Sequence, residues 1–100
     1  MKLYQQGDVL CKTISIPAGA GKKDGKKVLA EGEATGHAHV VEGDAELLEL
    51  GDRLFLRVLS GNARVIHEEH KPIEIPPGEY EIERVREYDH FREEARQVVD

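Results

Sequence analysis

Residues 53–59 of this 100-residue chain read Arg53-Leu54-Phe55-Leu56-Arg57-Val58-Leu59. Leu54, Leu56 and Val58 occupy alternate positions, and alternate side chains of a β-strand point to the same face of a sheet. One face of this segment is therefore fully apolar, as expected for a strand that packs on a hydrophobic core. Residues 63–68 continue the pattern, because Ala63, Val65 and His67 also share one face.

Glycine, proline, aspartate and asparagine separate short segments of this kind along the whole chain. Strands are predicted near residues 8–16, 27–33, 37–42, 45–50, 53–59, 63–68, 72–75 and 79–86. Many short strands between turns favour an all-β fold, either a small antiparallel barrel or a sandwich. The length suits one hydrophobic core, so residues 1–100 are predicted to form a single β-barrel-like domain.

Two segments depart from the strand pattern. Residues 17–26 combine glycines with lysines and have no apolar periodicity, so they are predicted to form a mobile loop. Residues 89–99 are predicted to form a short C-terminal helix with one apolar stripe, made of Phe91, Ala95, Val98 and Val99. Because so short a helix is unstable alone in water, the stripe is expected to dock on its own domain or on a neighbouring subunit.

The charge distribution narrows the classes of partner. Residues 1–30 carry a net charge of +4, whereas residues 31–100 carry −10. A surface that binds duplex DNA is basic, so a nucleic-acid partner is not expected. No apolar segment reaches the ~20 residues of a membrane-spanning helix. The N-terminus lacks the apolar core of a signal peptide, and Cys11 is the only cysteine, which together predict a cytoplasmic protein.

The histidines carry the only constellation with evident chemistry. Four of the five fall in two pairs: His37 with His39, and His67 with His70. Residues i and i+2 of a strand share a face, so the first pair is able to converge on one ion. The second pair converges only if the chain turns there, which the nearby Pro72 favours.

Neutral imidazole is a common metal ligand, and the carboxylates of Glu42, Glu68 and Glu69 lie close in sequence. Three histidines with a carboxylate or water would suit Zn, Fe, Mn or Ni. The alternative is that the two pairs never meet and form a polar surface cluster or part of a subunit interface.

The two histidines after a glycine, followed by Glu42 and later by Pro76-Pro77-Gly78, resemble the two motifs of the cupin barrel. Glu81 stands where a cupin has its last histidine ligand. The resemblance implies a β-barrel and a histidine-ligated metal centre, with or without catalytic activity.

A second resemblance covers nearly the whole chain. It is carried by Gln6-Gly7-Asp8-Val9-Leu10, Gly32-Glu33-Ala34-Thr35-Gly36-His37-Ala38-His39, His67-Glu68-Glu69-His70-Lys71-Pro72-Ile73 and Arg86-Glu87-Tyr88-Asp89. These segments are similar to those of a group of small uncharacterised proteins from bacteria and their phages, which implies no activity. The chain length and the glycine-rich loop near residue 20 also resemble the co-chaperonin barrel, which implies ring assembly.

These observations favour a non-enzymatic binding or assembly module that forms homo-oligomers, and they identify no catalytic residue. The interface is expected to include the apolar stripe of the C-terminal helix. One alternative is a small metalloprotein that uses the four paired histidines. The other is a ring-forming protein similar to the co-chaperonin.

Overall fold

The protein is all-β in the part of the chain that the structure, a computed structural model, describes: residues 2–31 and 37–84. Its strands are β1 (Leu3–Gln6), β2 (Val9–Thr13), β3 (Gly21–Lys23), β4 (Val28–Glu31), β5 (Ala38–Leu50), β6 (Arg53–Ile66), β7 (Ile73–Ile75) and β8 (Gly78–Arg84). No helix occurs within these ranges. In particular, none of the described residues forms a helix long and apolar enough to cross a membrane.

All eight strands belong to one antiparallel sheet. The strand order is β1-β2-β8-β6-β5-β3, with β4 also paired to β5 and β7 also paired to β6. The sheet does not close, so the predicted barrel is wrong. Strand β1 approaches the end of β6, but the connection there is a side chain: Gln6 Nε2 donates to the carbonyls of Val65 and Lys71 at 3.0 and 2.8 Å. Closing the sheet into a barrel would need backbone hydrogen bonds between β1 and β6. The Gln6 side chain bridges this gap instead.

The long strands β5 and β6 pair from Val40 opposite Ile66 to Leu50 opposite Arg53. The sequence predicted turns at Gly43 and Gly61 that would divide each strand in two. Instead, both strands continue, and the pairing shifts register around Gly43, which has a φ of +113°. Such β-bulges bend a strand and increase its twist. The bend separates a smaller half of the sheet, with β4 and β7, from a larger half with β1, β2, β3 and β8.

The core lies between these two halves. A single apolar cluster joins Val9, Leu56 and Tyr80 of the larger half to Val41 and Val65 of the smaller half. The alternation predicted for residues 53–59 and 63–68 is confirmed on this side of the sheet, where Leu56, Val58, Ala63 and Val65 are all buried. Cys11 is buried in the same core, and burial raises the pKa of its thiol to about 12, so the thiol is unreactive.

The opposite face of the larger half is covered by the chain between β2 and β3. These strands are separated by β8, β6 and β5, so the connection must cross three strands. Along the way the Ile16 amide donates to Glu79 Oε1 at 2.9 Å. A Cβ added at Gly19 would lie 3.7 Å from Leu50 Cδ1 of β5, so the chain passes close to that strand. Phe55, on the face that alternation leaves outside the core, is 0% exposed.

Two predicted segments need comment. Within residues 17–26, β3 pairs with Leu47–Glu49 of β5, so part of the predicted loop is a short strand. Whether the segment is mobile stays a prediction. The predicted helix 89–99 and its stripe lie outside the described residues.

The bend at Gly43 should tolerate no side chain. A Cβ added there would lie 3.3 Å from Ala63 Cα, and a φ of +113° is strained for any L-residue. We expect Gly43→Ala to lower the free energy of unfolding by ~2–3 kcal/mol, measured by urea denaturation. Gly51→Ala is the matched control, because Gly51 has a φ of +63° with nothing within 4 Å of the added Cβ. That variant should lose ~1 kcal/mol; equal losses would contradict the crowding argument.

Limited trypsin digestion tests the predicted mobile loop. Lysines 22, 23, 26 and 27 lie in or beside it, whereas Arg57 and Arg64 lie within a long paired strand. Proteases cut where the backbone opens locally at low cost. Among these sites, we expect the lysines to be cleaved first, as mass spectrometry of the early fragments would show. Earlier cleavage at either arginine would show that the loop is the better-ordered segment.

Candidate metal centre

The structure brings the two histidine pairs together. His67 lies at the middle, with its ring centroid 5.6 Å from that of His37, 4.3 Å from that of His39 and 4.7 Å from that of His70. The rings of His39 and His70 stack, with centroids 5.9 Å apart. Two histidine pairs about thirty positions apart in the sequence therefore form one cluster. The sequence alone could not show that they meet.

Strand pairing explains this convergence. His37 and His39 lie at the start of β5, and the β5–β6 ladder places Val40 opposite Ile66, so His67 follows directly beside them. The chain then leaves β6 and turns, as the sequence predicted. The turn is closed by the Glu69 amide, which donates to His67 Nδ1 at 3.0 Å.

Three side chains bring ligand atoms close to one another. One atom each from His37, His67 and Glu68 lies within 4.8 Å of the others. Glu68 Oε1 also accepts a hydrogen bond from the Ala38 amide at 3.1 Å. Backbone hydrogen bonds, from its own amide and from Ala38, lower the pKa of the Glu68 carboxyl, so it is held ionised as a metal ligand must be.

The other two predicted carboxylates behave differently. Glu69 Oε1 lies 3.3 Å from His37 Nδ1 and so borders the group. Glu42 is not a member of the group and instead lines an adjoining open groove of about 430 Å³. Ala38, Val40 and Ile66 contribute apolar surface to this groove, and His67 and Glu68 also line it. An ion held by the group would therefore be accessible from the groove.

His39 is held in one tautomer by Gln6. Both side chains are buried, and His39 Nδ1 lies 2.8 Å from Gln6 Oε1. Because Gln6 Nε2 already donates to two carbonyls, the amide orientation is fixed and Oε1 must accept. His39 Nδ1 therefore carries the proton, which leaves a lone pair on Nε2. Such orientation by a neighbour is typical of metal-binding histidines.

Burial lowers the pKa of His39 from 6.5 to about 4, and the positive charge of a protonated His67 contributes in the same direction. Across from it, Asp8 Oδ1 lies 3.6 Å from His39 Nε2. Asp8 is bound through its other oxygen by Arg84, whose Nε and Nη2 donate to Oδ2 at 3.2 and 2.9 Å.

Sequence reasoning missed Gln6, Asp8 and Arg84. The one feature of the sequence that could have pointed to Gln6 and Asp8 is the glycine between them, Gly7. In the structure it has a φ of +58°. A Cβ at Gly7 would lie 2.6 Å from His70 Nε2, so glycine is needed for His70 to pack there. The glycine was visible in the sequence as a turn, but its contact with a histidine sixty-three positions away was not.

The buried neutral histidine should make stability depend on pH. An unfolded His39 binds a proton below pH 6.5, whereas the folded one stays neutral to about pH 4. The unfolded state therefore binds more protons in this window, and the free energy of unfolding falls as pH falls, by ~2–3 kcal/mol for this group. We expect urea denaturation of the metal-free protein between pH 6.5 and 4 to show this loss.

His39→Gln is the control, because the other histidines remain and their contributions cancel in the comparison. The variant should show a shallower decline over the same pH range. Identical slopes for the two proteins would contradict a lowered pKa for His39.

Comparison with known proteins identifies the family but no closer relative. No curated protein and no solved structure matches the chain significantly. Nothing found supports the cupin resemblance or an origin in bacteria or phages. A family model matches residues 5–85, which is most of the chain and includes every residue of the centre. The protein therefore belongs to the family described as Domain of unknown function (DUF8820).

Proposed function

We propose that this protein binds a divalent transition-metal ion through His37, His67 and Glu68. The observation that carries the proposal is the placement of three ligand atoms within 4.8 Å of one another by two chain segments distant in sequence. Two imidazoles and one carboxylate suit zinc, iron, manganese or nickel. Three protein ligands leave coordination positions for water or another small molecule, which the adjoining groove would admit.

Metal binding would break a hydrogen bond that His67 makes in the turn after β6. Its Nδ1 accepts a hydrogen bond from the Glu69 amide, so the proton of the neutral ring is on Nε2. An ion at Nε2 requires this proton to move to Nδ1, whereas an ion at Nδ1 displaces the amide. In both cases the Glu69 amide loses its acceptor, so binding should be accompanied by a local change in the turn after β6.

A non-enzymatic assembly module, whether a simple homo-oligomer or a co-chaperonin-like ring, is the other candidate. The residues on which that expectation rests, Phe91, Ala95, Val98 and Val99, lie outside the described residues. Self-association and a cytoplasmic location therefore stay predictions. A metal site and an oligomer are compatible, so neither proposal decides the other.

The test is thermal stability of tag-free protein with added Zn²⁺ or Ni²⁺. A ligand at a hundred times its dissociation constant stabilises the folded state by ~2.7 kcal/mol. For a domain of this size, that raises Tm by about 10 °C or more. We expect this gain at pH 7.5 and its loss near pH 5, because an imidazole ligates only when neutral.

Variants identify the ligands. His37→Ala, His67→Ala and Glu68→Gln should each remove most of the gain in Tm. Glu42→Gln is the matched control, because Glu42 lines the groove but lies outside the group, and it should keep the gain. A wild-type protein whose Tm does not respond to either metal at pH 7.5 would refute the proposal.

A further inference from the structure

A second pair of electron-pair donors lies beside the proposed metal position. His39 Nε2 lies 3.6 Å from Asp8 Oδ1. The contact with Gln6 places the proton of the neutral imidazole on Nδ1, so in the neutral ring Nε2 has a lone pair and no hydrogen to donate. An ionised carboxylate likewise only accepts. Two acceptors thus face each other across a gap with no donor between them, and such a pair is stabilised by a cation.

Both donors are fixed from behind. Gln6, itself 1% exposed, holds the His39 ring through Nδ1, and its own amide is anchored on two carbonyls. Arg84 holds Asp8 through Oδ2 and leaves Oδ1 facing His39. Outer groups that orient each ligand in this way are characteristic of metal sites. His39 is 5% exposed, so its orientation is also set by packing.

We propose that His39 Nε2 and Asp8 Oδ1 form a second position for a divalent transition-metal ion, adjacent to the one held by His37, His67 and Glu68. Zinc binds nitrogen and carboxylate oxygen at ~2.0–2.2 Å, so donors 3.6 Å apart can reach one ion. His70, stacked on His39, is the nearest imidazole that the first position does not use. The inference rests on the proposed function and deepens it to a two-metal centre.

Local charge distinguishes the two positions. The first has the Glu68 carboxylate as a ligand and the Glu69 carboxylate next to His37, both of which attract a cation. In the second, Arg84 already neutralises part of the Asp8 charge and would repel a cation. The second ion should therefore bind at least about tenfold more weakly than the first.

The experiment is a Co²⁺ titration of the full-length, tag-free protein at pH 7.5. Visible absorption would follow the ligand field, and equilibrium dialysis with elemental analysis would count bound ions. The wild type should bind two equivalents, one tight and one weak. Asp8→Asn should bind only the tight one, while Asp44→Asn, at an exposed aspartate of β5, should bind both.

Arg84→Gln separates loss of a ligand from loss of the ion pair. It removes the Asp8–Arg84 contact but keeps the Asp8 carboxylate, so the weak equivalent should remain. Circular dichroism would verify that each variant is folded. His37→Ala should abolish the tight equivalent and leave the one that depends on Asp8.

Three other outcomes would overturn the second position. A single equivalent in the wild type, unchanged in Asp8→Asn and lost in His37→Ala, would overturn the second position and leave the proposed function standing. A single equivalent lost in both variants would mean that all these residues share one ion, which also overturns the second position. No bound Co²⁺ in the wild type would refute both proposals.

Discussion

The pairing of β5 with β6 is the interaction on which both the core and the histidine cluster depend. These two strands form the longest ladder in the sheet, and every other strand except β1 and β2 pairs directly with one of them. The register shift around Gly43 separates the two halves of the sheet, and a single core cluster takes Leu56 and Val58 from one half and Val65 from the other. The same ladder places His67 next to His39. Loss of the register would therefore remove the cluster together with the core.

The Gln6 side chain links strands that the open sheet leaves unpaired, as backbone hydrogen bonds between the first and last strands do in a barrel. It connects the β1 edge to β6 and to the loop before β7 through two hydrogen bonds to carbonyls. A buried amide without partners would cost ~1–3 kcal/mol, so a residue of this type persists in a core only where its partners are fixed. Here the third partner is His39 Nδ1. The side chain that ties the open sheet together thus also fixes which nitrogen of His39 is left to face Asp8.

Local pattern was sufficient to predict most of the strands. The alternation of Leu54, Leu56 and Val58 identified both the strand and its buried face. Strand β1 was missed because Gln5 and Gln6 are polar, and the burial of Gln6 depends on partners contributed by distant segments. Gly43 and Gly61 were interpreted as turns, since a glycine with positive φ serves a turn and a bulge equally well. Only the register between β5 and β6, which is a non-local property, distinguishes the two.

The same limit applies to the site. Spacing identified all four histidines and the Glu68 carboxylate, but it could not show that the pairs meet, because their approach depends on the β5–β6 register. Gln6, Asp8 and Arg84 gave no signal of their own: an amide, a turn aspartate and a strand-end arginine are ordinary surface residues in a sequence. Their roles arise from hydrogen bonds that span up to seventy-six positions.

The centre also combines features that oppose one another in the absence of an ion. A buried imidazole that resists protonation and a carboxylate that faces its lone pair do not stabilise each other, and the Gln6 amide prevents the ring from exchanging its protonated nitrogen. The apolar packing around this pair must therefore offset its unfavourable contribution to the free energy of folding. A divalent cation between them would turn the two acceptors from an unfavourable pair into ligands, as their 3.6 Å separation allows. A proton on His39 Nε2 would be favoured by the charge of Asp8 but opposed more strongly by the desolvation that lowers the pKa of His39. The arrangement is thus better suited to a divalent cation, which both acceptors would bind, than to a proton.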